Sequence, residues 1–346
     1  MTHLHMKPQE KDGILKTGNT AQQTDSHAMP FIASPGTAGL SHDIADYPGG
    51  IVIPIDKPYR WTSADVIRKV KFAAIRHFGK KNLKVGHAGT LDPLATGVLL
   101  VCIGNATKMA ETFQSHDKEY VAGITFGATT PSYDLEKEID RFFPYAHIDE
   151  DGIRKALEGF IGEQEQIAPL FSAKSVDGIR AYELARRLFR ESGKDALDNA
   201  VNEGTFDEAA KELIRSSKIN VTELELLSFE PSTGGFQASD KPASLTEGCI
   251  NHESPIQEPV SKASSRINVT DNSALGLPRA EIRMACSKGT YVRAFARDLG
   301  EALGSGAHLD SLQRSRSGDF RVENAVSVEM AIKLLQNTDS ICSPAK

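Results

Sequence analysis

The stretch from Val85 to Thr107, VGHAGTLDPLATGVLLVCIGNAT, constrains the fold more than any other feature of the sequence. It places one carboxylate, Asp92, among small residues and before Pro93, which disfavours helix at the preceding position. Its glycines let the backbone turn sharply and approach a ligand closely. The apolar run at 98–103 indicates a buried strand or helix segment. The pattern predicts a charged side chain on a loop beside a rigid core element, where catalytic groups often lie, although an ordinary turn aspartate fits these residues equally well.

The residues GHAGTLDPLATGVL within this stretch resemble the catalytic motif of the TruB family of tRNA pseudouridine synthases. In that family the motif aspartate is the essential catalytic residue, so the resemblance implies this role for Asp92. It also implies substrate contacts for His87, Gly89 and Thr90, with His87 filling the space that a displaced base leaves or stacking on a loop nucleotide. Segments similar to the family lie over roughly residues 50–189, 216–229 and 279–320.

The resemblance implies an α+β pseudouridine synthase fold, with a mixed, largely antiparallel sheet, flanking helices and a central active-site cleft. Apolar periodicity is consistent with this, because predicted strands and helices interleave irregularly along the chain. Strands are predicted at 50–58, 118–126 and 218–229 and from residue 279, and helices from Thr62–Ser63 and at 105–113, 148–161, 294–303 and 327–335. The outer face of the first helix carries cations; a solvated face is the simpler interpretation, and an RNA-facing edge is the alternative.

Two further motifs supply site residues by resemblance. Tyr120 lies in a K-x-Y context and is expected to pack against the target base, with Leu312 on the other side of that base. The CSKGTYVR stretch places Tyr291 and Arg293 together in the site. Arg293 is the candidate partner of Asp92, because a guanidinium stays charged at any working pH and keeps a buried carboxylate ionised.

The sequence departs from the family at two positions of the matched segments. Pro131 stands where the family commonly has aspartate, while Asp134 remains and is expected to support the site. Arg60 stands where the family usually has glycine, which predicts a differently shaped turn before Trp61. Lys174 lies at the family's spacing in PLFSAKSVDGIRAYELARRL and is expected to bind phosphate as a point charge.

Composition places the chain among ordinary globular proteins. At 346 residues it is long enough for one large domain or two, with 25% charged and 40% hydrophobic residues. No apolar run is long enough for a membrane span, and the N-terminus lacks a secretory signal pattern. The four cysteines lie far apart and form no CxxC pair, which predicts reduced thiols in the cytoplasm rather than disulfides or metal ligands.

The net charge of −6 is distributed unevenly along the chain. Residues 51–130 carry 11 Lys and Arg against 6 Asp and Glu, and residues 279–321 carry 8 against 5. Residues 191–272 carry 7 against 15 and hold the acidic excess. The parts with family motifs are therefore basic, which suits contact with RNA phosphates.

Patterning predicts one catalytic domain over residues 46–336 with irregular segments at its ends and inside it. Residues 1–45 lack periodicity and are interpreted as a disordered N-terminal extension, and residues 337–346 as a disordered tail. An acidic, helix-compatible insertion is predicted at 190–214, and a second one, rich in Ser, Pro and Glu, at 230–272. The chain is expected to lack the PUA-type RNA-binding domain that many family members carry.

Both insertions are expected to lie away from the RNA-binding face, because negative charge near phosphates opposes binding. Long polar insertions in surface loops add little closure entropy, so the fold can tolerate them. Replacing residues 233–272 by a short Gly/Ser linker is therefore expected to leave tRNA affinity and turnover within a few-fold of the wild type.

The chemistry implied by the resemblance is isomerisation of uridine to pseudouridine at position 55 in the T loop of tRNA. The glycosidic bond breaks at N1 and re-forms at C5. Asp92 would attack the sugar C1′ or the uracil C6, or abstract a C2′ proton, and the sequence leaves these open. No Walker loop, GxGxxG helix start or zinc-binding spacing is present, so neither a cofactor nor a metal is expected. The expected partner is the T arm of tRNA, bound by a monomer without a membrane or an obligate protein partner.

Two alternatives remain at the level of sequence. One is an RNA-binding tRNA-folding chaperone whose catalysis is weak or lost, against which the presence of Asp92, Tyr120 and Arg293 argues. The other is a guide-RNA-dependent synthase of the dyskerin type, which needs partner proteins and a PUA-type domain. The sequence favours a stand-alone tRNA pseudouridine synthase.

Overall fold

The computed structural model of the protein describes residues 28–169, 175–176, 179–180, 216–233, 267 and 269–336. The strands of these residues are β1 (Phe31–Ile32), β2 (Ile51–Lys57), β3 (Val85–Ala88), β4 (Ala95–Ile103), β5 (Lys118–Phe126), β6 (Ala128–Thr129), β7 (Arg141–Phe142), β8 (Gly162–Ile167), β9 (Ser175–Val176), β10 (Ile179–Arg180), β11 (Ser216–Glu230), β12 (Arg279–Cys286), β13 (Ala307–Ser317) and β14 (Phe320–Arg321). The helices are α1 (Ser63–Phe78), α2 (Ala110–Ser115), α3 (Glu150–Glu158), α4 (Val292–Ala302) and α5 (Val328–Leu334).

Ten of the described strands form one sheet in the order β1-β2-β4-β13-β5-β12-β11-β8, with β3 also paired to β4 and β14 to β13. Neighbouring strands run antiparallel, except that β1 is parallel to β2 and β13 is parallel to β4. Two short pairs, β6 with β7 and β9 with β10, lie outside this sheet. The predicted α+β class, with a mixed and mostly antiparallel sheet, is confirmed.

The apolar run at 98–103 is a strand that is buried on both of its faces. Alternate side chains of β4 enter a large core that also contains residues of α1, α3, α4 and α5. The intervening side chains, Val98, Leu100 and Cys102, enter a smaller core with Ala88 of β3 and Phe113 of α2. Because both faces are covered, the strand reads as a continuous apolar run instead of alternating with polar residues. The loop of Asp92 therefore enters the most rigid part of the sheet.

Helix α1 begins where the sequence predicts. The Thr62 hydroxyl accepts the Asp65 N–H at 3.0 Å, and the Asp65 carboxylate accepts the Thr62 N–H at 3.1 Å, which is a capping box. Gly79 ends the helix in the left-handed region, with a φ of 61°. Val66 and Val70 face the core, while the cationic outer face is exposed. The helix thus covers the sheet next to the Asp92 loop and presents its charges outward.

Two predicted helices differ from the structure in extent. Residues 105–113, predicted as one helix, form a 3-10 helix at Gly104–Met109 followed by α2. The helix predicted at 148–161 is limited to α3, because Gly159 is its C-cap and β8 begins at residue 162. Across the described residues, no helix combines the length and apolarity that crossing a membrane requires.

The predicted N-terminal extension is wrong for residues 28–45. Strand β1 lies parallel to β2 at the edge of the sheet, where Phe31 pairs with Ile51. Ala33 and Leu40 are buried in the large core. A few apolar residues suffice here, because the free edge of β2 supplies the backbone partners that a segment without periodicity otherwise lacks. Residues 1–27 and the predicted tail at 337–346 lie outside the described residues.

The predicted insertion at 230–272 is wrong at its C-terminal end. Ile267 is buried with 7% of its surface exposed, and the Thr270 N–H donates to the Leu135 carbonyl at 2.9 Å. Residues 267 and 269–272 thus pack on the domain of the large sheet, so they do not belong to the predicted insertion. Sequence composition missed this because a few apolar and hydroxyl side chains within a polar stretch make the contacts. The insertion at 190–214 lies outside the described residues.

Gly97 provides a test of the close approach between β4 and β13. Its φ is 96°, and an added Cβ would lie 2.2 Å from the Arg314 carbonyl oxygen. We expect Gly97→Ala to lower the free energy of unfolding by about 2–4 kcal/mol, because it adds both backbone strain and a clash with main chain. Gly86→Ala is the matched control, since nothing lies within 4 Å of its added Cβ. Equal urea denaturation midpoints for the two variants would contradict the prediction.

Candidate active site

A cleft of about 290 Å³ opens over β5 and β13, beside the start of α4 and the loop between β3 and β4. It is lined by seven of the site residues that the sequence predicts, namely Gly89, Thr90, Asp92, Tyr120, Tyr291, Arg293 and Leu312. These residues come from four segments that lie far apart in the sequence. The sheet brings them together, which is the arrangement that the predicted central cleft requires.

Asp92 and Arg293 form the predicted ion pair in this cleft. The Arg293 Nε donates to the Asp92 Oδ2 at 2.9 Å, and the Arg293 Nη1 donates to the Ser132 carbonyl at 3.0 Å. The Arg293 side chain is 6% exposed, whereas the Asp92 side chain is 36% exposed. The guanidinium is therefore a buried, fixed counter-charge, and the carboxylate remains accessible to a molecule in the cleft.

Asp134 lies behind Arg293, outside the lining of the cleft. Its Oδ2 is 3.8 Å from the Arg293 Nε, and its Oδ1 accepts the Ser132 hydroxyl at 2.6 Å and the Glu136 N–H at 2.9 Å. Burial raises the pKa of Asp134, while Arg293 acts to lower it. Burial alone would lower the pKa of Arg293. The neighbouring carboxylates of Asp92 and Asp134 outweigh burial, and the pKa is raised. Asp134 is thus placed to support Arg293, and this role stays a prediction.

The loop of Asp134 contains the departure at Pro131. The Tyr133 N–H donates to the Thr130 carbonyl at 3.0 Å, which closes a tight turn with Pro131 at its second position. The fixed φ of proline suits that position. The Thr130 hydroxyl donates to the Asp134 carbonyl at 2.7 Å and braces the turn from inside. The turn therefore accommodates Pro131, and Asp134 still lies behind Arg293.

Several contacts fix the backbone on each side of Asp92. The Ser63 hydroxyl at the start of α1 bonds both the N–H and the carbonyl of Leu91, each at 3.0 Å. The Ala95 N–H donates to the Asp92 carbonyl at 3.1 Å, closing the turn that Pro93 predicts. The first helix thus anchors the loop of Asp92 through the buried Ser63 hydroxyl.

Lys57 is a buried cation at the site that the sequence analysis missed. Its ammonium donates to the carbonyls of Pro58 at 2.8 Å, Trp61 at 2.6 Å and Pro93 at 3.2 Å. Burial lowers its pKa from 10.5 to about 7, although Asp92 acts in the opposite direction. Its place directly before a proline in the family-like stretch DKP was the available signal. The lysine ties the turn before α1 to the loop of Asp92.

Arg314 is a second buried cation that the sequence analysis missed. Its Nε donates to the Val98 carbonyl at 2.7 Å, its Nη2 to the Gly89 carbonyl at 3.1 Å and its Nη1 to the Thr90 carbonyl at 3.4 Å. These acceptors lie at both ends of the Asp92 loop. The signal in the sequence was a cation two residues after Leu312, on the same face of a strand. The Arg314 side chain thus holds the Asp92 loop in place through hydrogen bonds to the backbone of the loop.

Tyr120 and Leu312 share one face of the sheet on neighbouring strands. In the register of β5 and β13, Tyr120 pairs with Arg314 and Ala122 pairs with Leu312. Tyr120 is 8% exposed, and burial raises its pKa. Tyr291 caps the start of α4, and its N–H donates to the Gln166 Oε1 at 2.8 Å. Tyr120 and Leu312 thus form an apolar floor beside Asp92, while their contact with a base stays a prediction.

One predicted substrate-binding residue lies elsewhere. His87 is in β3, paired with Val101, and does not line the cleft. Lys174 lies outside the described residues. Two described lysines line the cleft, the buried Lys118, whose pKa burial lowers to about 8, and the exposed Lys288. Cationic side chains at the cleft suit a phosphate-bearing ligand.

The described residues offer no cluster of three His, Cys, Asp or Glu side chains that could hold a metal ion. Cys102 and Cys286 are free thiols, and burial raises the pKa of each to about 11. A protonated, buried thiol is a poor nucleophile and a poor metal ligand. Among the described residues that line the cleft, Asp92 is the one carboxylate.

Residues 76–196 match the family model described as TruB family pseudouridylate synthase (N terminal domain), and residues 293–340 match the tRNA pseudouridylate synthase B C-terminal domain. A curated relative from Phocaeicola vulgatus, named tRNA pseudouridine synthase B, is 44% identical over 81% of this chain and 91% of its own length. The chain belongs to the TruB family. Asp92 and Tyr120 lie in the first matched segment, and Arg293 and Leu312 lie in the second.

Two further relatives match over similar lengths. A relative from Bacteroides thetaiotaomicron is 42% identical, over 81% of this TruB-family chain and 90% of its own length. A relative from Flavobacterium johnsoniae is 35% identical, over 84% of this chain and 98% of its own length. Both carry the name tRNA pseudouridine synthase B. Among solved structures, a chain of the "Crystal Structure of a Cbf5-Nop10-Gar1 Complex" is 24% identical, with coverage of 79% of this chain and 50% of that one and a TM-score of 0.44.

Lys57 makes the stability of this TruB-family protein depend on pH. With a folded-state pKa of about 7 against an ordinary 10.5, the unfolded chain holds the proton and the folded chain releases it between these values. The free energy of unfolding should therefore rise with pH across this range, by up to about 1.4 kcal/mol per unit from this group. Lys57→Met should show a flatter dependence in urea denaturation from pH 7 to 10. Parallel curves for both proteins would contradict the assignment.

Arg293 should contribute to both stability and activity. Arg293→Ala leaves the buried Asp134 without its counter-charge, which we expect to cost about 3–5 kcal/mol of unfolding free energy and at least about a hundredfold in rate. Arg293→Lys should recover part of each, because a point charge cannot replace the planar fork. Arg283→Ala, which breaks a surface pair with Glu225, is the matched control and should change little. Wild-type turnover by Arg293→Ala would disprove the role.

Proposed function

We propose that this protein isomerises uridine to pseudouridine at position 55 in the T loop of tRNA, with Asp92 as the catalytic carboxylate. The observation that carries the proposal is the accessible Asp92 carboxylate held 2.9 Å from a buried Arg293 in an open cleft. The family of the chain supplies the reaction, and the names of its relatives supply tRNA as the substrate. Position 55 rests on the resemblance of the catalytic motif.

The reaction needs only groups that the cleft contains. The N1–C1′ and C5–H bonds break, and the C5–C1′ and N1–H bonds form. The composition and oxidation state of the nucleoside are unchanged, so no oxidant, reductant or second substrate is consumed. Asp92 acts either as a nucleophile at C1′ or C6 or as a base toward the C2′ proton, and a covalent intermediate would divide one difficult step into two. In each case the fixed charge of Arg293 keeps the carboxylate aimed into the cleft.

The apolar floor is suited to a base taken out of its stack. A stacked uridine must leave the loop before its glycosidic bond is reached, at a cost of a few kcal/mol. Packing of the base against Tyr120 and Leu312 offsets part of this cost, since aromatic stacking on a base contributes about 1–3 kcal/mol. The exposed Lys288 lines the same cleft and would bind a neighbouring phosphate. The cleft therefore supplies the separate contacts that the sugar, base and backbone need.

We propose further that the protein acts as a monomer without an obligate protein partner, in the cytoplasm. The carboxylate, its counter-charge and the apolar floor of the proposed site lie together within one chain, so the proposed reaction does not require a residue from a second copy. The buried, free thiols of Cys102 and Cys286 suit a reducing compartment.

Asp92→Asn tests the function directly. We expect it to reduce pseudouridine formation by purified protein on unmodified tRNA to below about a thousandth of the wild-type rate, because loss of a covalent nucleophile usually costs at least this much. Affinity for tRNA should stay within a few-fold, since the carboxylate makes no favourable contact with phosphates. Asp319→Asn, the same change at an exposed turn, should keep wild-type activity.

Retained turnover by a verified, non-deamidated Asp92→Asn sample would disprove the role of Asp92. Wild-type protein that binds tRNA but makes no pseudouridine alone would overturn the proposal of a stand-alone enzyme and favour an RNA chaperone or a partner-dependent synthase.

A further inference from the structure

The turn from Pro58 to Trp61 has an unfavourable backbone conformation. Arg60 has a φ of 62°, and among the described residues Tyr133 is the other non-glycine residue with a positive φ. The Trp61 N–H donates to the Pro58 carbonyl at 3.4 Å, which puts Arg60 at the third position of the turn. A positive φ at that position normally calls for glycine. Arg60 thus keeps a glycine-like conformation, contrary to the predicted change of turn shape, and such strain persists only where surrounding contacts hold it.

The side chain of Arg60 contacts a distant part of the sequence. Its Nη2 donates to the Ile267 carbonyl at 3.3 Å. Ile267 and residues 269–272, here called the return arm, follow the Ser-, Pro- and Glu-rich stretch and lead back to the sheet. The Ile267 side chain is buried, and the Asn272 amide lies 3.4 Å from the His308 Nε2. The return arm is therefore packed on the domain at both of its ends.

The return arm also holds the loop that carries Asp134. The Thr270 N–H donates to the Leu135 carbonyl at 2.9 Å. The Thr270 hydroxyl lies 3.1 Å from the same carbonyl and 3.2 Å from the Lys137 carbonyl. Because Leu135 directly follows Asp134, these bonds restrain the backbone of the carboxylate that faces Arg293.

We propose that Arg60 is a positioning residue that places Arg293 against Asp92. Its guanidinium holds the return arm, the arm holds the loop of Asp134, and Asp134 holds Arg293. The inference rests on the proposed function, since it gives Arg60 a part in orienting the catalytic carboxylate. The proposal also explains why arginine occupies a position that favours glycine. A glycine at position 60 would relieve the strain of the positive φ, but it would lose the hydrogen bond to the Ile267 carbonyl.

Arg60→Gly separates this role from a purely structural one. The single-turnover rate of pseudouridine formation at saturating tRNA should fall about tenfold, because small displacements of reacting groups are costly. The melting temperature should stay within a few degrees, since relief of the positive φ offsets the greater freedom of glycine in the unfolded chain. KM should stay within about twofold, and Arg60→Lys, which keeps a donor, should recover most of the rate. A wild-type rate for Arg60→Gly would overturn the proposal.

Two linker variants test the return arm itself. Replacing residues 234–266 by a Gly/Ser linker keeps the arm, and we expect turnover and tRNA affinity within a few-fold of the wild type. Replacing residues 234–272 removes the arm, and the single-turnover rate should fall at least as far as in Arg60→Gly. This reverses the expectation from sequence that a linker over 233–272 is harmless, because the contacts of Ile267 and Thr270 were not visible in the sequence. Equal rates for the two linker variants would overturn the proposal, because the arm would then contribute nothing to the site.

Hydrogen exchange distinguishes a failure of this inference from a failure of the proposed function. In Arg60→Gly the Thr270 amide should exchange about tenfold faster than in the wild type, because its bond to Leu135 opens more often. The Val101 amide in the core strand β4 should be unchanged. An unchanged Thr270 rate would overturn the role of Arg60. Wild-type protein without activity on tRNA would overturn the proposed function, and the exchange result would still decide whether Arg60 holds the arm.

Discussion

The buried charge of Arg293 is the constraint on which the rest of the site depends. Its side chain is 6% exposed, and its donors face Asp92, Asp134 and the Ser132 carbonyl. A charge removed from water without such partners costs several kcal/mol, so the partners must be in place for the domain to fold. The two loops that carry the carboxylates are thereby fixed by folding itself. Of these three partners, Asp92 alone lines the open cleft, so it is the one that a bound substrate can contact.

Two other buried cations shape the same loop in a different way. Lys57 and Arg314 donate to backbone carbonyls around Asp92, at Pro93, Gly89, Thr90 and Val98. Since their hydrogen bonds go to the main chain, they fix the path of the loop, while the carboxylate itself is bonded by Arg293. The path of the loop and the orientation of the Asp92 carboxylate are therefore set by separate groups. Such a division suits a catalytic carboxylate, which needs fixed geometry and an accessible oxygen.

The sequence predicted what local chemistry determines and missed what distant contacts determine. The start of α1 at Thr62–Ser63 and the loop of Asp92 follow from neighbouring residues, and the family resemblance brought Arg293 to the same site. The edge strand β1 and the return arm were not predicted, because each is ordered by contacts with segments that are distant from it in the sequence. Lys57 and Arg314 were missed for the same reason, since a cation reads as a surface residue until the fold supplies carbonyl acceptors. Lys174, in a part of the chain outside the described residues, stays a prediction.

The position of β13 has a consequence for synthesis of the protein. This late strand lies between β4 and β5, and the Asp92–Arg293 bond spans 201 residues of sequence. At ordinary translation speeds, roughly 10–40 seconds separate the appearance of these two residues at the ribosome. During that interval β4 and β5 lack their shared neighbour, and Asp92 lacks its counter-charge. A nascent or prematurely ended chain therefore carries the Asp92 motif without its counter-charge, and uridine chemistry can begin only after α4 and β13 have left the ribosome.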